Sequence, residues 1–301
     1  MLRALVGPTA SGKTEAGIAL AERLDREIAS VDSMLVYRGM DVGTAKPTAV
    51  DRGRVAHHLL DLAAPSERFT VARFQAAAHE LLARVPDPLL VGGSGLYLRA
   101  VVDDLVFPPE DHAVRQALET EAAAVGVARL FERLADLDPV SAGKIEPGNV
   151  RRVVRALEVA AITGSRFSTF AHAWERYDPQ RMRGAGIRVD RPILAIRVER
   201  RVHAMLDAGW LDEVRDLIDA GFGDWLTSTQ AIGYAELARH LDGRLSLEEA
   251  VELTVKRTKE LARRQMAWFR RDPRIRWFDV GESGAIEAVD RVAAYLEGAD
   301  A

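Results

Sequence analysis

Apolar positions in the first hundred residues follow two alternating rhythms. Leu2 to Val6 is a short apolar run that stops at a Gly-rich turn. Lys13 to Leu24 then takes helical spacing, with Ala16, Ile18, Ala19, Leu20 and Leu24 apolar. Glu27 to Val31 predicts a second buried strand, and Leu59 to Leu62 a further short one. Thr70 to Val85 predicts a helix whose apolar face holds Val71, Phe74, Ala77, Ala78, Leu81 and Leu82. Pro88 to Val91 is a third clear strand, broken by Gly92-Gly93 and followed by a helix from Ser94 to about Val102. Strands alternating with helices build a parallel sheet covered on its faces.

Phe107-Pro108-Pro109 interrupts this pattern, and strand signals then vanish. His112 to Ala124, Val127 to Leu137 and Asn149 to Ile162 have helical periodicity. Tyr177 to Pro192 is polar and contains Arg and Gly, which predicts a loop. Ile193 to Val198 predicts a strand returning to the sheet, and Trp277 to Val280 an edge strand. The expected fold is α/β: a P-loop NTPase-like parallel sheet flanked by helices, with an inserted all-helical domain. Its catalytic core would be residues 1–106 and 190–301, and the insertion 107–189.

The 301-residue chain is 48% hydrophobic and 29% charged, enough for a sizeable core in a soluble protein. It has no cysteine, which excludes disulfides and thiolate metal sites and fits a reducing compartment. No apolar run reaches the roughly 20 residues of a membrane span. The Gly-rich loop follows so soon after Met1 that no leader is expected, and the expected location is cytoplasmic. The net charge is -4, so any affinity for nucleic acid must come from local patches. Residues 256–276 supply one, with nine basic side chains against Glu260 and Asp272. Trp268 and Phe269 lie within it.

The chemistry begins at Gly7-Pro8-Thr9-Ala10-Ser11-Gly12-Lys13-Thr14, which matches G-x-x-x-x-G-K-[ST] between a strand and a helix. Glycines let the backbone wrap a phosphate so that N–H groups point inward, and the helix N-terminus adds positive potential. Lys13 brings a full charge, and the Thr14 hydroxyl is placed to bind Mg²⁺. Asp32 closes the second strand, at the edge where open α/β sheets bind ligands. A carboxylate there holds Mg²⁺, takes a proton from an acceptor, caps a helix, or serves as a plain loop carboxylate. Leu89-Leu90-Val91 ends in Gly92-Gly93-Ser94-Gly95 rather than in a Walker-B Asp, which favours a transferase over a motor or switch ATPase. His57 and His58 are adjacent, would point to opposite faces of a strand, and are read as structural.

These blocks together resemble the bacterial tRNA dimethylallyltransferases. The resemblance is carried by GPTASGKT, SVDSMLVYRGMDVGTAKP, HHLLDL, LLVGGSGLYL, VRRVVRALEV, AIGY and ELARRQMAWFRR, in the family's order over nearly the whole chain. It implies that the loop holds the pyrophosphate of dimethylallyl diphosphate rather than ATP. It also implies that the prenyl group moves to N6 of the adenine 3′ to the anticodon. By the same resemblance Asp32 is the base, Ser94 stands where the family often has Thr, and Arg215 contacts the pyrophosphate. Lys13 and Thr14, with Mg²⁺, would stabilise the leaving group. The tRNA anticodon stem-loop would meet Asp32, Ser33, Met34, Leu35, Ser94, Arg115, Arg151, Arg152, Arg155, Gln230, Gly233 and Tyr234. Arg263 and Arg264, from the basic cluster, would join them, and the enzyme would act as a monomer. One departure is expected: ILAIR runs straight into VERRVHAML, where the family has a further turn of about ten residues carrying an Arg. The rival readings are a P-loop small-molecule kinase, which shares the loop and an acceptor-side Asp, and a nucleotide-gated RNA-binding module.

Overall fold

The computed structural model describes residues 1–103, 105–170, 176–223 and 225–298. They divide into two compact units, Met1–Asp103 with Tyr177–Ala301, and Asp104–Arg176. The larger unit is built on six parallel strands: β1 (Leu2–Val6), β2 (Ile28–Ser30), β3 (His57–His58), β4 (Leu89–Gly92), β5 (Met182–Val189) and β6 (Ile275–Val280). Their order is β3-β2-β4-β1-β5-β6. The helices α1 (Lys13–Leu24), α2 (Ala49–Arg54), α3 (Val71–Arg84) and α4 (Gly95–Val102) belong to its first half. The smaller unit holds α5 (His112–Val125), α6 (Val127–Leu137), α7 (Pro139–Ala142) and α8 (Val150–Thr163). Returning to the larger unit, the chain forms α9 (Arg191–Asp207), α10 (Trp210–Asp219), α11 (Tyr234–Leu241), α12 (Leu247–Phe269) and α13 (Val289–Glu297). Among the described residues no helix is long and apolar enough to cross a membrane.

Local chemistry explains the boundaries. β4 is buried along its whole length, as a central strand of a covered parallel sheet must be. Thr70 caps α3 by accepting the Arg73 amide, and Ser246 and Glu249 form a capping box at the start of α12. Gly92 ends β4 where a Cβ would stand 2.3 Å from the Val31 carbonyl oxygen, so only glycine lets β2 and β4 approach this closely.

Three sequence expectations change. The stretch read as a loop contains β5, which lies between β1 and β6. Arg183 and Arg188 interrupt its apolar pattern, and Gly184 and Gly186 imitate a turn. The glycines instead make room for β6: a Cβ on Gly186 would stand 2.7 Å from the Trp277 ring. Ile193 to Val198 is not a strand but part of α9, which starts after Asp190 with Pro192 in its first turn. A short apolar run fits either element, and here the proline-initiated turn decides. β5 therefore passes directly into α9 and the expected shortened junction is continuous helix; residues 182–189 belong with the sheet rather than the insertion. Leu59 to Leu62 is no strand either, since Leu59 and Asp61 take left-handed φ values of 61° and 56° just after β3.

Candidate active site

The sheet register brings the sequence blocks together. Val6 pairs with Gly92, and Ser30 with Val91, so β1, β2 and β4 end level with one another. The phosphate loop, Asp32 and the Gly93–Gly95 turn all emerge at that carboxyl edge. They border a cavity of about 400 Å³ within the larger unit. α9 contributes Val198, Arg201, Val202 and Met205, and α12 contributes Thr258, Leu261, Arg264, Gln265 and Trp268. Both sets follow the spacing of one helical face.

In the loop, Ala10 and Gly12 take left-handed φ values of 62° and 85°, and Ser11 N–H donates back to Pro8 O at 3.3 Å. This curls the backbone into a turn that feeds α1. The Lys13 ammonium donates to Pro8 O at 3.3 Å and lies within the cavity walls. Desolvation pushes its pKa down to about 8; Asp32 works against that shift and Arg201 adds to it. Burial likewise lowers Arg201, with Asp32 again opposing. Two desolvated cations facing one carboxylate make a site that gains from a bound polyanion. Thr14 lines the same space.

The Asp32 Oδ1 accepts the Met34 amide at 3.1 Å, an arrangement that fixes the carboxylate at the cavity wall. No helix starts at Asp32, since the next one is α2, so the capping role is removed. Ser33, Met34 and Leu35 follow it along the cavity. Ser94 is the N-cap residue of α4 but makes no side-chain cap bond, and it lines the cavity.

Glu213 holds the far end of the Asp32 loop. Its carboxylate accepts the amides of Asp41 and Val42 at 2.7 Å and of Gly43 at 3.1 Å, plus the Tyr234 hydroxyl at 2.7 Å. Tyr234 is fully buried, and a Cβ on Gly233 would stand 2.0 Å from the Trp210 ring. Gly233 and Tyr234, expected at the tRNA, are thus packed supports; Gln230 does line the cavity. Arg215 lies apart from the cavity. It projects from the exposed face of α10, pairs with Asp212 and is not among the cavity residues, which Arg201 supplies instead. With α9 running from Arg191, Arg201 falls on the Val198, Val202 and Met205 face, a placement the sequence alone does not single out. Gln265 gave no signal of its own in the sequence.

The remaining expected RNA contacts separate by environment. Arg264 lines the cavity, whereas Arg263 is exposed and borders a different groove, beside Glu260 and Lys259. In the smaller unit Arg151 and Arg152 are exposed on α8. Arg115 and Arg155 instead reach the buried Glu158 carboxylate at 2.7 and 2.9 Å, and Arg155 also bonds the Pro108 and Pro109 carbonyls. Phe269 is core, while Trp268 lies over Gly95 at the cavity.

Among the described residues no group of three or more His, Cys, Asp or Glu side chains could hold a metal. His57 Nδ1 contacts Val55 O at 2.7 Å and His58 pairs with Glu27, so the two histidines do not share a site. The Thr14 hydroxyl and the Asp32 carboxylate border the same cavity. That donor set fits Mg²⁺, which keeps several waters and takes other ligands from substrate phosphates.

The family model described as IPP transferase matches residues 35–272. The chain is 47% identical over 300 residues to a tRNA dimethylallyltransferase of Nocardioides sp., across 98% of this chain and 96% of that one. The chain belongs to the IPP transferase family. A second family member, from Desulforudis audaxviator, is 46% identical over 285 residues, across 93% and 92% of the two chains. The crystal structure of the tRNA isopentenylpyrophosphate transferase from Bacillus halodurans matches with a TM-score of 0.71 at 40% identity, covering 99% of this chain and 95% of that one. The α/β P-loop-like architecture is therefore the family's own. The phosphate loop and Asp32 lie ahead of the family-model match, within the span shared with the Nocardioides relative.

Proposed function

We propose that the chain transfers the dimethylallyl group of dimethylallyl diphosphate to N6 of the adenine 3′-adjacent to the anticodon of tRNA, releasing pyrophosphate. The observation that carries this reading is the cavity that gathers Lys13, Thr14, Arg201 and Asp32. Lys13, Arg201 and the loop amides bind the diphosphate and stabilise the charge that grows as the allylic carbon–oxygen bond breaks. Thr14 would hold Mg²⁺, which supplies further charge stabilisation on the leaving group. The adenine amino group attacks the freed allylic carbon. Its lone pair is delocalised into the ring, so the Asp32 carboxylate assists by accepting the N6 proton as the new bond forms. The adenine must leave its stack to enter, which costs a few kcal/mol and is easiest in an anticodon loop. Met34, Leu35, Met205, Trp210 and Trp268 offer apolar wall for base and prenyl group. Since its acceptor is tRNA, the enzyme would work in the cytoplasm.

The test is incorporation of label from radiolabelled dimethylallyl diphosphate into unmodified tRNA, with Mg²⁺ and without ATP. Label is expected in the RNA, and Asp32→Ala should slow the chemical step by about 10²-fold or more while leaving tRNA binding in place. ATP consumption with a small acceptor, and no labelled tRNA, would replace this reading with the kinase.

A further inference from the structure

Gln265 stands on the cavity face of α12, and its side chain reaches both glycine-rich turns. Its Oε1 accepts the Thr9 amide N–H at 2.8 Å, across 256 positions of sequence. Its amide nitrogen lies against Gly93, where a Cβ would stand 2.5 Å away. Three positions on, the Trp268 ring covers Gly95 so closely that a Cβ there would fall 1.8 Å from it. The helix rests on side-chain-free backbone at both contacts.

A phosphate loop works only when its peptide planes are correctly turned. Pro8 has no N–H to anchor the start of the loop, and Ser11 N–H is spent on Pro8 O. Thr9 N–H, committed to Gln265, is the anchor that comes from outside the loop. It fixes the Pro8–Thr9 peptide, one residue ahead of the left-handed Ala10, and so sets the direction from which the chain enters the turn through Ala10 and Gly12.

We propose that Gln265 is a positioning residue for the donor: by holding the Thr9 peptide from α12, it sets the curvature of the phosphate loop and hence its affinity for diphosphate. This rests on reading the loop as the diphosphate site. The helix that carries the basic cluster is thereby joined to the donor site through one side chain, because Arg264 immediately precedes Gln265 on α12 and shares the cavity.

The experiment is calorimetric titration of inorganic pyrophosphate with Mg²⁺ into the wild-type chain and into Gln265→Met, which keeps the size but removes the acceptor. The wild type is expected to bind. The variant is expected to bind about tenfold more weakly, as loss of one part-buried hydrogen bond that leaves its donor unpaired, with tRNA affinity and Tm unchanged. Gln265→Glu keeps an acceptor of the same reach, so hydrogen exchange in the loop peptide should stay slow in Glu and speed up in Met. Equal pyrophosphate affinity in wild type and Gln265→Met overturns the proposal, as does equal loop exchange in the two variants. A parallel fall in Tm and tRNA affinity would also overturn it, making Gln265 a packing residue. A wild type that fails to bind pyrophosphate would instead remove the diphosphate reading itself.

Discussion

At the scale of the residue, Lys13 combines full charge with desolvation, and its pKa of about 8 lies well below the ordinary lysine value. The sign of the linkage follows. Below about pH 8 the folded chain holds a desolvated ammonium, a cost to stability that fades as pH climbs to the unfolded value. Diphosphate reverses this, because an anionic partner raises the lysine pKa and favours the protonated form. Binding near pH 8 should therefore take up a proton, and from this group alone pyrophosphate affinity should fall by about tenfold per pH unit above 8. Titrations from pH 7 to 10 in buffers of different ionisation heat would count the protons. A flat affinity profile would mean that Lys13 is already neutral or stays away from the ligand. Asp32 shows the complementary lesson: its place at a strand end was legible from spacing, whereas its freedom from helix capping was not.

At the scale of the element, α9 and α10 decide which arginine lines the cavity. α9 lies over the cavity and delivers Arg201; α10 turns Arg215 outward toward Asp212. Arg201→Ala should lower kcat/KM by about 10²-fold or more, as for loss of a desolvated charge on a leaving group. Arg215→Ala should stay within about twofold of wild type, because an exposed ion pair contributes little. Steady-state kinetics on the two variants would check this, and a reversed order would show that α10 moves when substrate binds. The sequence misled here for a physical reason. Five apolar residues in six positions suit a buried strand or a helix face equally, and the true strand was disguised by glycines that accommodate Trp277 and Ile275.

At the scale of the whole molecule, charge is redistributed by folding. The basic run at 256–276 looked like one patch, yet Arg274 is buried between Asp103 and Asp272, and Arg257 pairs with the buried Glu236. In the smaller unit Arg115 and Arg155 neutralise buried Glu158, while Arg152 faces solvent. Arg152→Ala should weaken tRNA binding, reduce its salt slope by about one, and leave Tm unchanged. Arg155→Ala should instead lower Tm, since removing one partner of a buried carboxylate leaves it under-compensated. Filter binding across salt concentrations, with thermal melts, would separate the two, and a Tm loss confined to Arg152→Ala would refute the assignment.

The sequence alone determined what depends on neighbours a few positions away. Glycine spacing defined the phosphate loop, apolar periodicity gave most helices and β1, β2 and β4, and the strand-end position exposed Asp32. Tertiary structure decided what depends on distant partners. Arg201 becomes a cavity residue only when α9 lies over the loop, and Glu213 matters only because three amides from Asp41 to Gly43 fold onto it. Tyr234 is buried with its hydroxyl donating to that same carboxylate. Local rules describe the chain's own turns, but desolvation, charge pairing and close backbone approach are properties of segments brought together by the sheet.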